Sequence, residues 1–159
     1  GKKAFARCSQ CFDGYRFGVP HDSSDNVGYS IEYEGVVFTL LTDVGHITEE
    51  MKAIIRNTDY LVIEANYDLQ MLQNGPYPRH LQERIQCGTG HLSNAQCGAA
   101  LVENYTERLK HIWLCHLSEE NNHPELARKS IEQAISDAGI KVKLDVLRRK
   151  QPTGVFELV

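Results

Sequence analysis

The stretch VVFTLLTDVGHITEEMKAIIR (residues 36–56) decides the fold class. Its opening run, VVFTLL, is rich in β-branched and aromatic residues and reads as a short strand. Asp43 follows directly, where that strand has ended. Thr48 then has the side chain of a helix N-cap, and Glu49 and Glu50 sit in the first turn, where the helix dipole favours acids. Met51, Ile54 and Ile55 recur behind them at helical spacing, which predicts a helix over residues 49–56. A strand, a polar loop and a helix in that order make one unit of an α/β domain.

The same unit recurs on either side. Residues 27–33 form another β-branched and aromatic run, joined to the first by Glu34-Gly35, a hairpin turn signal. Residues 60–63 are a continuous apolar run, short enough for a buried strand, and it stops at Glu64-Ala65-Asn66. Asn74-Gly75-Pro76 breaks the chain, and residues 79–86 predict a short helix facing the core with Leu81 and Ile85. Gly88-Thr89-Gly90-His91 is a flexible loop. Ser93, with Gln96 three residues on, then has the capping-box spacing for a helix reaching about Asn104, so His91 stands just before a helix N-terminus. Residues 111–115 are a further apolar strand ending at His116. The polar loop through Asn122 leads into a helix opened by Pro124 and closed by Gly139. Residues 142–147 and 155–158 are expected late strands. The alternation predicts a single α/β domain over residues 1–159, without internal repeats.

Composition narrows the class. The chain has 159 residues, enough to bury ~70% of the surface its unfolded form exposes. Seventeen basic against 21 acidic residues give a net charge of −4, with no long block of like charge to mark an electrostatic nucleic-acid footprint. Arg148-Arg149-Lys150 is the one basic run, and it reads as a solvated face. Five cysteines, an odd number, do not make a disulfide framework and suit a reducing, cytoplasmic compartment. Cys8 and Cys11 form one C-x-x-C, which lacks the second pair or the histidines that a structural zinc site needs. No apolar run approaches the ~20 residues of a membrane-spanning helix.

Three polar residues fall where strands or their loops should end: His21 in Pro20-His21-Asp22, Asp43, and His116. Histidine and aspartate are ligands for zinc, and ligands drawn from separate loops are how a scaffold builds a catalytic site rather than a local finger. A hydrolytic metal site needs such ligands, because the ion lowers the pKa of water from 15.7 to roughly 7. His46, His80, His111 and His123 match no ligand position and read as surface or capping residues.

Several segments in order carry a resemblance. They are Val19-Pro20-His21-Asp22 with Val27-Gly28-Tyr29, Thr42-Asp43-Val44-Gly45, and Ile63-Glu64-Ala65-Asn66-Tyr67-Asp68. Asn74-Gly75-Pro76-Tyr77-Pro78, Gly90-His91-Leu92-Ser93-Asn94 and His116-Leu117-Ser118-Glu119-Glu120-Asn121-Asn122 continue the series. Together they resemble the metallo-β-lactamase-fold hydrolases, in the branch of the YycJ/WalJ-type bacterial proteins related to tRNase Z. The resemblance implies the C-terminal part of an αββα sandwich and a two-metal site holding zinc or manganese. It makes Asp43 the bridging carboxylate, with His21 and His116 each on one metal, and His91 the general acid beside the scissile phosphate. Glu64 and Asn66 are then groups that orient metal-bound histidines, and Ser118, Asn121 and Asn122 contact substrate or satisfy their loop. The family's H-x-H-x-D-H segment, the source of four ligands, occurs nowhere in these 159 residues and is expected upstream. The expected activity is phosphodiester hydrolysis by a metal-bound hydroxide, with nucleic acid as the substrate. Two other readings stand beside it: a catalytically silent fragment or binding module, and a hydrolase of small esters or thioesters. A sheet face left without its second sheet implies that the isolated chain forms a homo-oligomer.

Overall fold

Side-chain periodicity sets out one sheet whose strands follow chain order. The computed structural model describes the backbone of Lys3–Arg7 and residues 13–158 in full. Strands β1 (Lys3–Arg7), β2 (Asp13–Gly18), β3 (Val27–Tyr33) and β4 (Val36–Leu41) form an antiparallel meander. Its β3–β4 hairpin turns through Glu34 and Gly35, with φ of 48° and 80°, the left-handed pair that a type I′ turn requires. Strands β5 (Tyr60–Glu64), β6 (His111–Cys115) and β7 (Lys143–Val146) then add in parallel, giving the order β1 to β7 across the sheet.

Parallel neighbours need crossovers, and the helices supply them. Helix α1 (Glu49–Arg56) joins β4 to β5, and α2 (Leu69–Asn74), α3 (Arg79–Gln86) and α4 (Asn94–Asn104) lie between β5 and β6. Helix α5 (Pro124–Asp137) joins β6 to β7. The caps follow the sequence: Thr48 accepts from the Met51 N–H, Ser93 and Gln96 form a capping box, and Pro124 opens α5. Strands β5 and β6 are buried along their whole length, as strands covered on both faces must be. On one face Leu41, Leu61, Ile63, Ile112 and Leu114 pack with α1 (Met51, Ile54, Ile55), α4 (Cys97, Leu101) and α5 (Ala127, Ile131, Ile135). The other face carries Tyr60, Val62, Trp113 and Cys115 with Val36, Phe38, Leu40 and Leu147, and no helix contributes to it. The described residues therefore hold one sheet and one helical layer, half of an αββα sandwich.

Several elements, β1 among them, differ from expectation. Residues 155–158 form no strand: Phe156 packs edge-on against Trp113 at 5.0 Å and His111 at 5.6 Å, and Val155 stands in solvent. The apolar run is spent on ring contacts rather than on a ladder. Strand β2 was not anticipated, because its glycine-flanked DGYRFG shows only Tyr15 and Phe17 in alternation. Helix α2 is short and capped by Asp68. His111, expected at the surface, is buried, with Nε2 2.8 Å from Asp145 Oδ2 and its ring stacked 3.8 Å from that of Trp113. Cys8 and Cys11 lie outside the described residues. Among the described residues no helix is long and apolar enough to cross a membrane.

Candidate metal centre

Strand direction gathers the candidate ligands. Strand β2 runs antiparallel to β3, and β3 antiparallel to β4, so β2 points the same way as β4, β5 and β6. Their carboxyl ends share one edge of the sheet, which is where open α/β sheets bind ligands. His21 lies just past β2, Asp43 just past β4, Glu64 ends β5, and His116 follows β6. His91 joins them from the loop before α4.

The backbone at this edge is strained where two of these residues sit. Asp43 and His116 both have φ of 55°, in the left-handed region that side chains rarely adopt. An asparagine amide clasps each of them at its carbonyl: Asn26 Nδ2 donates to Asp43 O at 3.0 Å, and Asn66 Nδ2 to His116 O at 2.8 Å. The Val44 N–H donates to Glu64 Oε2 at 2.6 Å, and the Gly45 N–H to Pro20 O at 2.7 Å. Gly45 itself is required, since a Cβ there would run into the Gly88 carbonyl and lie 2.6 Å from Thr89 Cα.

Hydrogen-bond partners decide the tautomers of the three imidazoles. His21 Nδ1 faces the Gly90 carbonyl at 2.9 Å, and a carbonyl can only accept, so Nδ1 carries the proton. His91 Nδ1 and His116 Nδ1 both face Glu64 Oε1, at 2.6 and 3.2 Å, and donate to it in the same way. In each neutral ring Nε2 is left with a bare lone pair. His21 Nε2 and His116 Nε2 each stand 3.7 Å from the same oxygen, Asp43 Oδ1. Two ligands at about 2.0–2.1 Å on one tetrahedral zinc stand about 3.4 Å apart, so the spacing is close to that of a shared ion. Acceptor faces acceptor here with no proton of its own between them, and a divalent cation is the partner this donor set fits. The ligand atoms of His91, His21 and Asp43 also lie within 4.8 Å of one another.

Glu64 is fully buried. Burial pushes its carboxyl pKa up, but the hydrogen bonds from His116, His91 and Val44 outweigh that and hold it below its ordinary value. The Glu64 hydrogen bond in turn raises the pKa of His116 against the opposing effect of burial. Both oxygens of Glu64 are engaged, Oε1 on two imidazoles and Oε2 on the Val44 N–H, although its ligand atom also lies within 4.8 Å of those of His91 and His116.

Asn66 acts on the backbone of the His116 loop: its carbonyl accepts from the Ser118 N–H at 2.7 Å and its Nδ2 donates to His116 O. Asn121 is fully buried and bonds Ser118 Oγ through its N–H and Nδ2, each at 3.2 Å. Asn122 exchanges amide hydrogen bonds with Asn94 at 2.8 and 3.0 Å, which ties the His116 loop to the start of α4. Ser118 lines a cleft of about 1110 Å³ that also takes in His21, His91, His116, Arg84 and Arg149. Two contributors were not anticipated. One is Asn26, and the other is the Asp22–Arg84 ion pair, where Arg84 from α3 meets the residue after His21.

No protein-family model matches the chain. Exodeoxyribonuclease YycJ of Bacillus anthracis is 36% identical over 126 residues, covering 79% of this chain. Exodeoxyribonuclease WalJ of Streptococcus pneumoniae is 38% identical over 129 residues, covering 81%. The chain spans 48% of each, about half the length of these curated relatives. Among solved structures, the metallo-β-lactamase fold protein YhfI of Bacillus subtilis superposes with a TM-score of 0.64 at 13% identity, over 92% of this chain and 50% of its own. The short form of human tRNase Z does so with a TM-score of 0.54 at 18% identity, over 74% and 40%. The chain is a homologue of the YycJ/WalJ proteins and carries the metallo-β-lactamase fold over the half of it that it spans.

Proposed function

We propose that the chain supplies part of the active site of a metal-dependent phosphodiesterase acting on nucleic acid, with His21, Asp43 and His116 as ligands for zinc or manganese. One observation carries this reading: two imidazole Nε2 lone pairs converge at 3.7 Å on one oxygen of Asp43. When bound, divalent ions supply Lewis acidity that neutralises charge on a phosphoryl group and activates the attacking water. Every other part falls to the protein. Asp43 Oδ1, 3.7 Å from Nε2 of both His21 and His116, would hold the metal together with those rings. Glu64 keeps the proton of His116 on Nδ1, so that Nε2 stays free to bind. The same carboxylate, 2.6 Å from His91 Nδ1, orients that ring with its Nε2 end free to serve as the general acid for the leaving oxygen. Asn26 and Asn66 keep Asp43 and His116 in their left-handed conformations. The relatives are named exodeoxyribonucleases, so DNA is the strand to test first.

The test is cleavage of an end-labelled oligodeoxynucleotide with zinc or manganese, against a chelator control. Metal-dependent cleavage is expected of a protein that carries this chain together with the upstream segment, and there His91→Ala should slow it ~100-fold at unchanged metal content. Loss of metal along with activity would make His91 a ligand instead. A second reading, that this chain alone is a catalytically silent binding module, rests on its spanning 48% of its curated relatives. Metal binding without cleavage selects that reading, and cleavage of a thioester but not of DNA selects the small-ester one.

A further inference from the structure

The cleft beside the histidines continues to a basic rim. Arg148, Arg149 and Lys150, expected to be a plain solvated face, line it. Arg149 Nη2 donates to the Leu117 carbonyl at 2.6 Å, which anchors the guanidinium one residue past His116. Its Nη1 lies 2.7 Å from Glu119 Oε2, and Lys150 Nζ lies 3.1 Å from Glu119 Oε1. Two cations thus close on the two oxygens of one anion. The Glu119 side chain is 60% exposed and belongs to the loop between β6 and α5. Exposed pairs of this kind contribute little, so a competing anion displaces the carboxylate readily. In a chain of net charge −4, a basic pair at the mouth of the site is a local exception. Its sign and its two-oxygen grip suit a phosphodiester.

We propose that Arg149 and Lys150 form a clamp for one backbone phosphate of a nucleic-acid strand entering the site, and that Glu119 fills the clamp until the strand displaces it. The proposal rests on the phosphodiesterase reading above. Glu119 is then a specificity device, because a weakly charged ligand does not dislodge it and a polyanion does. Arg149 steers the strand toward the loop that carries His116.

The test is binding of a dye-labelled single-stranded oligodeoxynucleotide by fluorescence anisotropy, with chelator present so that nothing is cut, across a range of NaCl concentrations. Glu119→Gln should tighten binding several-fold, since it empties the clamp without changing its shape. The double variant Arg149→Gln/Lys150→Gln should weaken binding about tenfold and make the slope of log K against log salt shallower by about 0.7, one phosphate contact on a single strand. Lys129→Gln, exposed on α5, should change neither. A purely structural role for Glu119 predicts the opposite sign, weaker binding in Glu119→Gln, and that result overturns the clamp. Equal binding by wild type and both clamp variants also overturns it while leaving the hydrolase reading in place. Competition by polyglutamate as effective as by the oligonucleotide makes the pair a carboxylate site and refutes the assignment to phosphate. No binding by any form, together with no metal-dependent cleavage, sinks both proposals.

Discussion

Replacing Glu64 by Gln tests how the imidazoles are set. The carboxylate accepts three hydrogen bonds while fully buried, from Val44 N and His91 Nδ1 at 2.6 Å and from His116 Nδ1 at 3.2 Å. A glutamine has one oxygen left. If that oxygen keeps Val44, the new NH₂ faces the two rings and can bond them only if their protons move from Nδ1 to Nε2. The fold survives such an exchange, but the lone pair that faced Asp43 becomes an N–H. Loss of such an orienting partner typically costs 10–100-fold in metal affinity. Three charge-assisted bonds become neutral ones at about 1 kcal/mol each, partly offset because a neutral group replaces a buried charge. The net cost is about 1–3 kcal/mol, or roughly 3–10 °C in Tm for a chain of this length. Zinc affinity by competition with a chromophoric chelator, beside thermal melts of the metal-free protein, reads both quantities. The pH dependence adds a sign. The depressed carboxyl of Glu64 contributes stability that is present above its unfolded value of about 4.3 and is lost as pH falls through the folded one. The gap between wild type and variant should therefore close in acid. Unchanged zinc affinity in Glu64→Gln would refute the tautomer argument, and complete loss of binding would make Glu64 a ligand itself.

Other consequences are open to simpler assays. Asp43→Gly removes a side chain from a residue at φ 55°, so it should abolish metal binding yet stabilise the metal-free protein by about 1 kcal/mol, seen as a higher Tm without metal; a lower Tm contradicts the strain. In native-state alkylation with peptide mapping, Cys87 should react well before Cys97 and Cys115. Cys87 is exposed with its thiol held low by the Thr89 hydrogen bonds, whereas burial pushes Cys115 up to about 12 and Cys97 higher still; comparable rates for all three would show that the two are not buried. The isolated chain is expected to self-associate through the half-buried Val36, Phe38 and Leu40 on the helix-free face, and a stable monomer in concentrated light scattering sinks that expectation.

Where the sequence was legible, local signals agreed with one another. Helices α1, α4 and α5 each had a cap and a periodic apolar face, and β4, β5 and β6 were apolar runs cut off by polar residues. Strand β2 and helix α2 were too short for periodicity to outweigh their glycines and their neighbouring breakers. Residues 155–158 had the composition of a strand, but composition cannot say whether a neighbour exists to pair with. At the site, the positions of Asp43, Glu64 and His116 at strand ends were visible, and family resemblance drew them together with His21 and His91. The resemblance also made Glu64 a group that orients histidines, but did not say which two rings it holds. The bonds of Asn26 to Asp43 and of Arg84 to Asp22 were not visible, since they bridge 17 and 62 residues and leave no local pattern. The basic run at residues 148–150 is exposed, as expected, but its place beside the cleft left no local pattern, because only the return of the chain past β7 brings it there.

On the proposed reading, His21, Asp43 and His116 hold divalent metal through Nε2 and carboxylate lone pairs. Anomalous diffraction at the zinc edge, from crystals grown with zinc, tests it directly. A peak is expected about 2.0–2.2 Å from Asp43 and from Nε2 of at least one of the two histidines, with Glu64 still bonded to both Nδ1 atoms. A peak on Glu64, a peak reached through Nδ1, or no peak at this edge of the sheet would contradict it.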